Sequence, residues 1–125
     1  MNISNEKLIL AYGLTGVEEE NLNSLLSKLS ILPCRVIEKN MGNITIKELL
    51  HNINEVKSDI DLPNEKLLLF SNYADKELYD LIDSIRKIKS SNTILAAVTP
   101  TSITWTVSYL INHLIKEREA YRISE

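Results

Sequence analysis

A single cysteine, Cys34, is all that this 125-residue chain carries. No intrachain disulfide can therefore form, and no Cys-based metal cluster can assemble. Lying between Pro33 and Arg35 in an apparent strand, Cys34 reads as a small core hydrophobe rather than a nucleophile. No run approaches the roughly 18 apolar residues of a membrane span. The leading MNISNEKL has neither the basic nor the apolar segment of a signal peptide, so the expected home is the cytoplasm. Charge of one sign is lacking as well: 14 Lys and Arg stand against 17 Asp and Glu, net −3. The basic residues are dispersed among acids, as in Lys116-Glu117-Arg118-Glu119. Phosphate recognition needs clustered cations, which argues against nucleic acid as a partner.

Chemical motifs are missing too. There is no GxSxG elbow, HExxH pair or Cys–His motif, so a non-enzymatic role is expected. Neither GxGxxG nor a Walker lysine appears, and no cofactor is implied. His51 and His113 lack a second ligand at metal spacing and read as surface or boundary residues. Glu18–Glu20 and Asp80–Asp83 fit solvated helix faces. Few Ala and Gly beside frequent Asn, Ile and Lys hint at an AT-rich bacterial genome. What is present, 44% hydrophobic and 25% charged residues, suits one ordinary globular domain spanning 1–125.

Apolar patterning supplies the elements. Lys7–Tyr12 (KLILAY) is a short buried-strand pattern. Thr15 and Glu18 have capping-box spacing, and Leu22, Leu25, Leu26 and Leu29 follow at helical intervals, with Pro33 as the stop. Cys34–Glu38 alternates apolar with polar, which predicts an edge strand. After a turn at Asn40–Asn43, Thr45 and Glu48 repeat the capping box, and Ile46, Leu49, Leu50 and Ile53 form a stripe. Asn54–Glu65 reads as a connection. Lys66–Ser71 (KLLLFS) resembles KLILAY, and Leu78, Leu81, Ile82, Ile85 and Ile88 mark a third helix. Ser90–Asn92 is a turn and Ile94–Val98 a fourth strand. Pro100 suits the first turn of a fourth helix with Thr99 as its cap, or with Thr101 or Ser102 capping slightly later.

The chain thus reads as two pseudo-repeated βαβα halves, 6–53 and 66–122, joined by 54–65. CRVIE matches LAAVT, and KELLHNI matches the end of helix four. The fold class expected is α/β: a three-layer, four-stranded, mostly parallel sheet in the order 2-1-3-4. Strands one and three would lie side by side about a pseudo-twofold axis running along the sheet. A two-layer sheet with helices on one face is the alternative. In the doubly wound arrangement the switch point lies between the carboxyl ends of strands one and three. Gly13, Thr15 and Gly16 would line it from one half, Asn72 and Tyr73 from the other. Helix amides there favour an anion or nucleotide, whereas Asp75 and the absence of basic residues oppose one. The identity of such a small-molecule ligand is open.

Helix four has two sticky faces. Val107, Leu110, Ile111, Leu114 and Ile115 share one; Trp105 and Tyr109 fall opposite, flanked by Asn112 and His113. Trp105, Tyr109 and His113 are therefore a candidate interaction surface, for a homodimer or another protein. Alternatively, Trp105 precedes the regular helix and tucks beside strand four.

The stretch VTPTSITWTVSYLINHLIKERE, with Thr99-Pro100-Thr101 ahead of Trp105, and the earlier KLLLFSNYADKEL together resemble a bacterial family known as Domain of Unknown Function 3783. The resemblance covers Lys66 to Tyr121. It implies a small cytosolic domain in which the Thr-Pro-Thr turn and Trp105 matter together, and it implies no activity.

Overall fold

The computed structural model describes residues 7–51, 62–88 and 93–124, with side chains to residue 120. The turn expected at Ser90–Asn92, most of the connection 54–65 and the stripe residue Ile53 fall largely or wholly outside these. The chain forms two compact units, one within Met1–Ile37 and Glu65–Val98, the other within Glu38–Asn64 and Thr99–Glu125. Each takes one piece from either sequence half.

The first unit is an α/β sheet layer. Its strands are β1 (Leu8–Tyr12), β2 (Arg35–Ile37), β3 (Leu67–Ser71) and β4 (Ile94–Ala97), ordered β2-β1-β3-β4. Every residue of β1 and β3 is buried, as their uninterrupted apolar runs require of central strands. β2 lies at an edge, and its alternation leaves Val36 41% exposed beside the buried Ile37.

Two of the three pairings, β1 with β2 and β3 with β4, are parallel. The central one is antiparallel, with Leu8 opposite Ser71, Leu10 opposite Leu69 and Tyr12 opposite Leu67. This corrects the expected axis along the sheet. A twofold relating antiparallel neighbours runs normal to the sheet, here between Leu10 and Leu69. Two right-handed crossovers related about an axis normal to the sheet bring both helices to one face. Helices α1 (Gly16–Lys28) and α3 (Asp75–Ile88) accordingly share one core. Leu22, Leu26, Leu81 and Ile85 pack with Ile9, Ala11, Leu68 and Phe70. Leu8, Leu10, Leu67 and Leu69 point to the other face and are buried too.

The capping box of α1 is present. Thr15 Oγ1 accepts from the Glu18 amide at 3.2 Å, and Glu18 Oε1 accepts from the Thr15 amide at 2.8 Å. The helix ends before Pro33, at Lys28. Ser30 turns left-handed (φ 60°), and the Ile31 amide donates to the Leu26 carbonyl at 2.8 Å, closing a Schellman motif.

The second unit holds α2 (Ile46–Leu50) and α4 (Val107–Ser124), each preceded by a 3-10 turn, Lys39–Met41 and Ser102–Thr104 respectively. Thr45 caps α2 through its box with Glu48, at 3.1 and 2.9 Å. The lead-ins of the two helices pair: the Ile46 amide donates to the Trp105 carbonyl, and the Val107 amide to the Ile44 carbonyl, both at 2.9 Å. This reciprocal bridge joins Thr45 to Thr106.

Helix four starts later than the Thr-Pro-Thr signature suggests. The Ser102 amide donates to Thr99 Oγ1 and the Thr99 amide to Ser102 Oγ, each at 2.9 Å. That box closes a turn ahead of the 3-10 segment, whose own N-cap residue, Thr101, makes no side-chain cap bond. Trp105 is then extended (ψ 151°), and Thr106 caps α4 by accepting from the Tyr109 amide at 3.2 Å.

Candidate functional site

The antiparallel centre of the sheet removes the crevice expected between the carboxyl ends of strands one and three. With Tyr12 opposite Leu67 and Leu8 opposite Ser71, those ends lie at opposite edges of the strand pair. Gly13, Thr15 and Gly16 follow one end; Asn72 and Tyr73 follow the other. The five residues do not form one site.

Local geometry gives most of them structural work. Gly13 has φ +81°, and a Cβ there would fall 1.9 Å from the Glu65 carbonyl oxygen. Glycine is required by both conformation and space. Asn72 takes the same left-handed role after β3 (φ 67°), a conformation that Asn tolerates. Thr15 is the cap described above. Gly16 is the first residue of α1, and a methyl placed there would have no neighbour within 4 Å. Tyr73 meets Phe70 edge to face at 6.2 Å. Burial, and then the Glu77 carboxylate, push its phenol above the usual 10.0.

The second group of candidates does come together. Extended Trp105 places its indole over the first turns of α4, 4.8 Å from the Tyr109 ring and 4.9 Å from His113, both edge-on. Tyr109 and His113 stack nearly parallel at 6.2 Å. Edge-to-face and offset contacts of this kind satisfy the ring quadrupoles. Tyr109 and His113 stand one helical turn apart on α4, and Trp105, extended just ahead of the helix, sets its ring against both. His113 Nε2 meets Glu117 Oε1 at 3.2 Å, continuing the stripe by one more turn. The sequence reading missed that partner, although the same four-residue interval marks it.

Opposite this stripe Val107, Leu110 and Ile111 are at most 4% exposed, whereas Tyr109 is 56% exposed and Trp105 half-buried. One face of α4 is thus satisfied internally, and the other presents an aromatic surface ending in the His113–Glu117 contact. Such a surface offers flat apolar area, an indole N–H, a phenol and an imidazole. Among the described residues, no group of three His, Cys, Asp or Glu side chains is arranged to hold a metal ion. No helix among them is long and apolar enough to cross a membrane.

Residues 66–121 match the family model described as Domain of unknown function (DUF3783). No curated protein and no solved structure matches the chain. The matched stretch runs from Lys66 ahead of β3 into α4 as far as Tyr121, and so includes the whole ring cluster.

Proposed function

We propose that this chain, whose residues 66–121 match the family model described as Domain of unknown function (DUF3783), is a non-catalytic, cytoplasmic interaction module that self-associates through α4. The observation that carries this reading is the ring cluster of Trp105, Tyr109 and His113, placed on the helix face opposite the buried Val107, Leu110 and Ile111. Trp and Tyr dominate interface hot spots because they bury large rigid area at small entropic cost.

The occupant is a second copy of the chain. A stripe centred on rings can meet its own copy ring on ring about a twofold axis, as an isologous contact demands. A net charge of −3 gives two copies little long-range repulsion.

Sedimentation velocity across the micromolar range tests this, with Tyr109→Ala as the informative variant because its exposed ring contributes little to the fold. An aromatic hot spot costs about 2 kcal/mol on truncation, and a twofold contact loses it twice, weakening the dimer roughly a thousandfold. Wild type is expected as a concentration-dependent dimer and Tyr109→Ala as a monomer with unchanged melting. A wild-type monomer at about 100 μM, where functional dimers are assembled, would overturn self-association.

A further inference from the structure

The contacts between the two sequence halves repeat themselves when the halves are exchanged. In the sheet unit, Lys7 ahead of β1 pairs with Glu77 of α3, and Lys66 ahead of β3 pairs with Glu18 of α1 at 2.6 Å. Lys7 and Lys66 stand at the same sequence offset as Glu18 and Glu77. That offset also joins Gly13 to Asn72, which follow their strands with φ of 81° and 67°. It carries Leu22 and Leu26 onto Leu81 and Ile85 of the shared core. The strand register obeys it as well. Leu10 and Leu69 are equivalent residues and lie opposite one another, so the pairing is symmetric about them.

The second unit shows the same relation through different chemistry. Thr45 and Thr106 both cap helices, accepting from the Glu48 and Tyr109 amides, and they face each other across the antiparallel bridge. On either side, the Ile46 amide donates to the Trp105 carbonyl and the Val107 amide to the Ile44 carbonyl, each bond the image of the other. A backbone of this topology carries a twofold relation by itself. It does not require equivalent residues to supply the cation, the anion, the left-handed turn and the cap. In the sheet unit each half supplies two strands and one helix, and the core takes side chains from both. Separated, either half would expose an apolar central strand along its hydrogen-bonding edge. The family match, residues 66–121, covers the second half alone.

We infer that the chain is two copies of one repeat fused in tandem, and that the surface between its halves is the repeat's own pairing surface, whose fitting partner is a second copy of residues 66–121. In such a pair β3 lies antiparallel to β3 of the other copy, with Leu69 opposite Leu69. Lys66 then meets Glu77 in both directions. The halves have diverged where they share volume, since Phe70 occupies the position equivalent to Ala11 in the core.

Two full-length tandem chains test the inference. In one, residues 7–51 are replaced by 66–112; in the other, 66–112 are replaced by 7–51. Both are needed because Phe70 twice overfills the core and Ala11 twice underfills it. The first chain carries Leu69→Cys in both copies. The second carries Leu10→Cys in both, with Cys34→Ser to remove its native thiols. Directly opposed residues lie about 4.5–5.5 Å apart, within reach of a disulfide. Leu67→Cys or Leu8→Cys in both copies is the control, because those residues would lie about 14 Å apart, four positions out of register. At least one tandem is expected to unfold cooperatively on heating. Every folded one is expected to form an intrachain disulfide at the central pair alone, read by mass spectrometry of the monomeric chain. Failure of both to fold would overturn the inference, as would a folded tandem that leaves its central pair reduced or bridges the control pair.

Discussion

Replacing Gly13 by alanine probes the junction on which the central strand pair depends. The residue sits at φ +81°, where a side chain costs roughly 1–2 kcal/mol against the following carbonyl. Space adds a second cost. The new Cβ would lie 1.9 Å from the Glu65 carbonyl oxygen, 3.0 Å from its carbon and 3.4 Å from Lys66 Cα. These are backbone atoms at the entrance to β3, and the neighbouring Lys66 carbonyl accepts from the Ile94 amide at 2.8 Å. Relief therefore requires moving the chain between two paired strands by more than an ångström. Together the terms amount to about 3–4 kcal/mol, a large part of the 5–15 kcal/mol that holds a domain folded. For a chain of this length that corresponds to a melting point lowered by roughly 12–16 °C. Thermal and urea denaturation of Gly13→Ala beside Gly16→Ala reads it directly, since a methyl at Gly16 meets nothing within 4 Å. A Gly13→Ala melting point within about 3 °C of wild type, below the shift expected for even 1 kcal/mol, would refute this account of the turn.

Other outcomes follow from the same contacts. Gly16→Ala is expected to stabilise by up to about 1 kcal/mol, because the helix start loses backbone freedom in the unfolded chain. Thr45→Ala removes the acceptor for the Glu48 amide and should cost about 1 kcal/mol in urea unfolding. Ser102 is 5% exposed and bonds Thr99 in both directions, so Ser102→Ala should cost about 1 kcal/mol by removing the acceptor of the Thr99 amide. Acid sensitivity has a defined sign. The Thr45 backbone amide holds the Glu48 carboxyl below its ordinary 4.5, and Lys7 followed by the Ala74 amide does the same for Glu77. A depressed folded value stabilises fully above the unfolded value and is lost as pH falls through the folded one. Glu48→Gln and Glu77→Gln should therefore each lose less stability than wild type on acidification below pH 4.5.

Much of this architecture is legible in residue order. Alternation in Cys34–Glu38 marked the edge, and the uninterrupted runs of Leu8–Tyr12 and Leu67–Ser71 marked the centre, which together give the observed order. Thr15 with Glu18 and Thr45 with Glu48 announced two helix starts that form the expected reciprocal bonds. The direction of the central pairing was not legible, for a physical reason. A strand buried on both faces has no polar side to orient it, so KLILAY fits a parallel or an antiparallel neighbour equally well. The ligand crevice at Gly13–Gly16 and Asn72–Tyr73 depended on that direction and fell with it. The start of α4 was misplaced because Thr99-Pro100-Thr101-Ser102 carries a start signal whose reciprocal Thr99–Ser102 bonds close a separate turn ahead of the helix. The ring cluster was legible because it is local, with Tyr109 and His113 one helical turn apart and Trp105 preceding the regular helix, as the alternative reading had it. The Lys7–Glu77 pair, by contrast, joins residues whose proximity only the closed sheet creates.

Trp105 is the only tryptophan in the chain, so its emission reports directly on the face proposed to join two copies. Acrylamide quenching of that fluorescence, measured from about 1 to 300 μM protein to bracket ordinary dimer affinities, should fall as concentration rises and stay constant for Tyr109→Ala. Quenching that is the same at both ends of the wild-type series would contradict α4 as a self-association surface.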